Sequence, residues 1–269
     1  MKKLRAIFKS KHKVNLENLN KWNIVLSAVH ALQGVLIVVL SRSANVTVST
    51  SYLSVDPLLS SNGQPVLSPA TTNLFSVNLG YLVAAFFFMS AIAHLVSATV
   101  YRKTYEANLK KGINKVRWIE YAFSASTMMV AIAVLSGVYD LSSLIMIFSL
   151  TAIMNLMGLV MELWNQKSKK TNWISYLIGC FAGIVPWLVF VIYVWGANVY
   201  GSGNIPTFVY WIYLSIFLFF NSFAINMYLQ YKKKGKWADY VYGEKVYMIL
   251  SLVAKSALAW QVFFGTLRP

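Results

Sequence analysis

Seven predominantly apolar runs, each long enough to cross a bilayer, divide this chain at approximately 22–40, 74–101, 117–137, 141–164, 173–197, 206–231 and 241–267. A helix rises 1.5 Å per residue, so about 20 residues span the hydrocarbon layer. Lipid offers no hydrogen bonds to bare strand edges, which makes helices the expected spanning form. The fold class that follows is an all-α integral membrane protein, a seven-transmembrane-helix bundle in contact with the lipid bilayer. Composition agrees, since 58% of the 269 residues are hydrophobic and only 12% are charged. A soluble domain keeps about 25% charged residues at its surface.

The connections between runs sort the charge. Of 24 Lys and Arg residues, seven lie in the tail through Lys21 and six from Arg102 to Arg117. Further basic residues are Lys167, Lys169 and Lys170, then Lys232, Lys233, Lys234 and Lys236, with Lys245 opening the last run. All of these fall on one side of a seven-helix bundle. Only Arg42 and Arg268 fall on the other side. Cytoplasmic loops carry such an excess, so the N-terminus is expected inside and the C-terminus outside, in a cell membrane. The formal charge of +16 therefore marks cytoplasmic loops, and no nucleic-acid partner is expected.

Two parts flank this plan. Residues 1–21 read as a basic cytoplasmic tail ahead of a membrane domain at 22–269. No small-residue cleavage site follows the first run, which argues against a signal peptide. Leu4, Ile7 and Phe8 can lay the tail on an anionic membrane surface, with disorder as the alternative. Residues 41–73 form a long external loop, polar overall, in which alternating pieces such as Val46–Val48 can pair as a hairpin. Trp22, Trp118, Trp164, Trp173, Trp211 and Trp237 sit near run ends, as interfacial anchors do. Pro186 in the fifth run is expected to kink its helix. The single cysteine, Cys180, is expected to be buried packing, with no disulfide and no thiolate metal site.

Lys255 is the residue that hydropathy does not explain. It lies in YMILSLVAKSALAWQVFFG, roughly 14–18 Å from either boundary at helical rise. Its stem cannot reach the interface, and leaving the charge in the core costs at least ~3 kcal/mol. One reading is a buried ion pair. The other is a Schiff base, because an amine kept from water is available in its neutral, nucleophilic form to attack an aldehyde. Glu120, in RWIEYAFSAS of the third run, is the natural counterion. The alternative for Glu120 is pairing with Arg117, three residues earlier on the same face. Ser251 lies one turn before Lys255 and can bridge carboxylate and cation. His30 in LSAVHALQG and His94 in SAIAHLVSA stand at similar depth and suggest a polar cavity or proton acceptor. Glu162, beside Trp164, reads as an interfacial acid.

Taken together these residues resemble the heliorhodopsins. The likeness covers all seven runs. It is carried by His30-Ala-Leu-Gln33, by His94, by Arg117-Trp-Ile-Glu120-Tyr121, and by Ser251-x-x-x-Lys255-Ser-x-Leu-Ala-Trp260-Gln261. The resemblance implies a rhodopsin-like bundle of inverted topology, with all-trans retinal held on Lys255 as a Schiff base and Glu120 as counterion near Ser251. It places His30 and His94 in a cytoplasmic-side polar cavity. Tyr121, Trp260, Met154 and Gly158 join the cofactor-binding set, and a homodimer is implied. Ordinary microbial rhodopsins have an acid four residues before the lysine; this chain has Ser251 there.

The function expected is that of a light-absorbing photoreceptor with no enzymatic activity and no metal site. Photoisomerisation would drive a slow conformational signal to an unidentified cytoplasmic partner. A light-gated proton conductor or transporter is the rival, since Glu120, Glu162 and the histidines can be arranged as a relay. A chemoreceptor of the G-protein-coupled type would need its N-terminus outside, against the charge distribution.

Overall fold

The computed structural model describes residues 16–269 except 61, 62, 167, 169 and 204. The first fifteen residues, with Leu4, Ile7 and Phe8, lie outside the described residues, as do Lys167 and Lys169. Eight helices and one hairpin follow in order: α1 (Leu16–Leu40), β1 (Asn45–Val55), β2 (Leu67–Asn78), α2 (Leu79–Ala98), α3 (Arg102–Leu109), α4 (Lys115–Leu135), α5 (Leu141–Trp164), α6 (Ile174–Tyr200), α7 (Thr207–Tyr231) and α8 (Tyr240–Val262). A single π-helical turn, Phe263–Leu267, extends α8. All but α3 are long and apolar enough to cross a membrane, so seven spans stand where seven runs were read.

The boundaries moved where local chemistry overrides hydropathy. α1 begins at Leu16, so the end of the expected tail is helical. The second run was read from residue 74, but β2 extends to Asn78 and α2 starts only at Leu79. Val46 and Val48 pair with Val77 and Phe75, so this stretch follows the strand period. Asn78 then caps the helix by accepting from the Tyr81 N–H at 3.3 Å. The expected hairpin is present, antiparallel from Asn45↔Asn78 to Val55↔Leu67, with a register shift after Val48. α6 runs through Pro186 and stays helical to Tyr200.

Two ties anchor the hairpin side. Asp140 caps α5 through the Ser143 N–H at 3.0 Å and also accepts from the Ser51 N–H of β1 at 3.3 Å. At the end of α8, Arg42 donates its backbone N–H to the Leu267 carbonyl at 2.7 Å and its Nε to Thr266 at 3.0 Å.

Burial is distributed as lipid requires. α6 buries Ser175, Gly179, Ala182, Pro186, Trp187 and Phe190 and turns Phe181, Leu188 and Val191 outward. Lipid is as apolar as a protein core, so hydrophobic side chains lie on both faces. Cys180 corrects the expectation of a buried thiol, because it is exposed. Trp118 corrects another. It is 6% exposed and packs inside the bundle with Tyr121 and Tyr247 rather than at the interface.

Candidate chromophore site

α8 carries Lys255 into the bundle centre with 3% of its side chain exposed, and α4 brings Glu120 to meet it. Lys255 Nζ donates to Glu120 Oε1 at 3.2 Å and to Ser251 Oγ at 2.8 Å. The Ser251 contact follows from helix geometry, since residues four apart stack on one face. The Glu120 contact joins residues 135 positions apart. A second hydroxyl completes the carboxylate. Ser90 of α2 donates to Glu120 Oε1 at 2.6 Å. Ser251 therefore serves the amine and Ser90 the acid, where the sequence had suggested one bridging hydroxyl. Ser90 is a site residue that sequence reasoning missed, and its position one turn before His94 was the available signal.

A cavity opens from Lys255 between α4, α5, α6, α7 and α8. Its walls include Trp118, Tyr121, Met128, Met154, Gly158, Trp187, Phe217, Phe220, Phe223, Ser251 and Lys255. Small residues give the cavity its shape. A Cβ at Gly158 would strike the six-membered ring of Trp118, and one at Gly183 would strike Met154 Sδ. Trp187 meets Phe217 and Phe220 edge-on, with ring centroids 5.2 and 5.9 Å apart. Tyr121 sits beneath the amine, 5.2 Å from ring centroid to Nζ, and its hydroxyl donates to the Tyr247 carbonyl at 3.1 Å. The arrangement suits a long, rigid, apolar molecule with one carbonyl end at the lysine.

Met154, Gly158, Tyr121 and Ser251 line this cavity. Trp260 does not. Its indole N–H donates to Gln33 Oε1 at 3.1 Å, and its ring packs on Phe263 and Phe264, which turns it away from the cavity wall.

His30 and His94 come together on the α1–α2 side of the ion pair. Their rings stack at 5.6 Å with 7° between planes. His94 Nδ1 lies 2.7 Å from Asn23 Oδ1, whereas neither nitrogen of the fully buried His30 has a hydrogen-bond partner in the described structure. Sequence reasoning missed Asn23, a single polar residue near the start of the first run.

Arg117 does not pair with Glu120, the alternative raised for that acid. It lies one turn before Glu120 yet turns away from it, toward α5 and α8. Its Nη2 donates to Glu162 Oε1 at 2.5 Å and its Nη1 to Glu244 Oε1. Glu162 is 2% exposed, so it is a buried partner and not an interfacial acid. The Asn114 N–H and the Tyr240 hydroxyl donate to Glu162 at 2.8 and 2.9 Å, and Asn114 Nδ2 donates to Glu244 at 2.7 Å. The guanidinium lies over the Tyr247 and Trp118 rings, 3.9 and 4.4 Å from their centroids. Glu244 was overlooked in the sequence, although an acid inside an apolar run is itself a signal.

Arg117 and Lys255 are therefore paired with different acids, and among the described residues Lys255 is the cation that meets Glu120. No curated protein matches this chain. A family model described as heliorhodopsin matches residues 19–267, nearly the whole sequence. The chain belongs to the heliorhodopsin family, which implies an integral membrane protein with a retinal chromophore.

Proposed function

We propose that the protein is a light sensor that holds all-trans retinal on Lys255 with Glu120 as counterion. The observation that carries this reading is the Lys255–Glu120 pair at 3.2 Å, at the head of an aromatic cavity. Retinal joined to Lys255 Nζ as a Schiff base supplies light absorption and isomerisation. The chain's own residues do the rest. Glu120 balances the cation, Ser90 and Ser251 fix the carboxylate and the nitrogen, and the aromatic walls line the space for the polyene. His94, which stacks on His30 and follows Ser90 by one turn of α2, serves in this reading as the acceptor of a proton from the Lys255 nitrogen.

The charge distribution among loops supports an orientation with the N-terminus inside a cell membrane. The basic loops then form the surface offered to a cytoplasmic partner. Family resemblance supports a homodimer and a non-enzymatic role.

Adding all-trans retinal to the expressed protein should give a coloured pigment, and Lys255→Ala should give none. Equal colour with equally tight retinal in the variant would remove the Schiff-base assignment. Voltage-clamp recording under illumination separates sensor from conductor. Zero light-evoked current at all voltages is expected of the sensor, and a sustained current would establish the conductor.

A further inference from the structure

The amide of Asn23 is 1% exposed and every atom of it is committed. Nδ2 lies 3.2 Å from the backbone carbonyl of Leu19 and 3.5 Å from the Tyr105 hydroxyl. A carbonyl oxygen only accepts, so the amide face turned to Leu19 must be the NH2 group. The oxygen then has to face His94 Nδ1 at 2.7 Å. An amide oxygen only accepts as well, so Nδ1 must carry the hydrogen. The tautomer follows from the acceptor character of Leu19 and needs no observed hydrogen.

We propose that Asn23 is a positioning residue that holds His94 as the Nδ1–H tautomer, leaving Nε2 as the atom that receives a proton. The groups around His94 agree with that role. His30 stacks on it from α1, and Ser90, one turn away on α2, holds Glu120 of α4 beside Lys255 of α8. When Nε2 gains a proton, the Nδ1–H bond to Asn23 becomes charge-assisted and shortens. Asn23 thus both sets the receiving atom and stabilises the imidazolium. The proton-receiving half of this inference rests on the retinal reading above; the tautomer half does not.

The test is nitrogen-15 solid-state NMR of histidine-labelled protein in lipid vesicles, first without retinal. The His94 signals are those lost in His94→Gln. Expected are a protonated Nδ1 and a bare Nε2. Asn23→Asp keeps an acceptor and should keep Nδ1 protonated, whereas Asn23→Leu should move His94 toward the Nε2–H form. A protonated Nε2 in the parent protein, or an Asn23→Leu spectrum identical to it, overturns the proposal. If Asn23→Leu does not accumulate, the parent and Asn23→Asp spectra decide.

With retinal bound, flash spectroscopy should show the deprotonated pigment forming about tenfold or more slowly in Asn23→Leu, with Asn23→Asp no slower than the parent. Unchanged kinetics in Asn23→Leu remove His94 Nε2 as the receiving atom. Failure to form any pigment removes the retinal reading and leaves the tautomer assignment standing on the apoprotein spectra.

Discussion

The guanidinium of Arg117 is bonded to Glu162 from the neighbouring helix, 2.5 Å from Nη2 to Oε1, with 5% and 2% of the two side chains exposed. Glu244 takes the second nitrogen, so one cation serves two carboxylates across α4, α5 and α8. Removing the cation strands two buried acids, whereas removing one acid leaves a balanced pair. Arg117→Gln is therefore expected to destabilise the protein by about 3–5 kcal/mol. Glu244→Gln should cost clearly less. Thermal unfolding in detergent checks the order, and equal losses would show that the charge balance is not what the cluster supplies.

Glu120→Gln removes the carboxylate beside Lys255 but keeps an acceptor for Ser90. Positive charge then spreads along the polyene, so the absorption maximum should move to longer wavelength. An unshifted spectrum would assign the counterion to another group.

Gly158 is the point where α5 meets Trp118. Gly158→Val should drive the indole toward the cavity, cost about 1–3 kcal/mol through overpacking and lower the pigment formed per protein. Trp118→Leu in the same chain should recover part of that loss, because the two positions are in contact. Retinal titration of the two single variants and the double variant reads the coupling.

Asp140 lies outside the spans and links the hairpin to α5. The Ser142 hydroxyl, followed by the Ser143 N–H, holds its carboxyl below the usual carboxylate range, and the Ser51 N–H adds to the effect. A depressed folded value means that this link is intact above the ordinary carboxylate range and lost as pH falls through the folded value. Protection of the Ser51 and Ser143 amides from hydrogen exchange, taken relative to the intrinsic rate at each pH, should fall in that acidic window. Asp140→Asn should show similar Ser51 protection at both ends of it.

Much of the fold was legible from local properties. Seven spans appear at the seven apolar runs because crossing a bilayer demands length and hydropathy, which the chain carries residue by residue. The hairpin within 41–73 was legible from the period-2 pieces at Val46–Val48, but the end of its second strand, from residue 74, was taken for helix because Leu74, Phe75 and Val77 suit either form. Lys255 stood out for the same local reason, a charge too deep to reach water.

Pairing was a different matter. Arg117, Glu120, Glu162 and Glu244 could be combined in several ways on paper, since a sequence does not say how far each helix is rotated about its axis. Only the packed bundle turns Arg117 toward α5 and α8, brings Ser90 to Glu120, and sets Asn23 against His94. Cys180 and Trp118 show the same boundary. Lipid and protein interior are equally apolar, so hydropathy places a residue within the membrane without saying which way it faces. The sequence by itself determined how many helices cross and which ionisable groups they carry; tertiary packing decided which of those groups meet, because each partnership joins side chains from different helices.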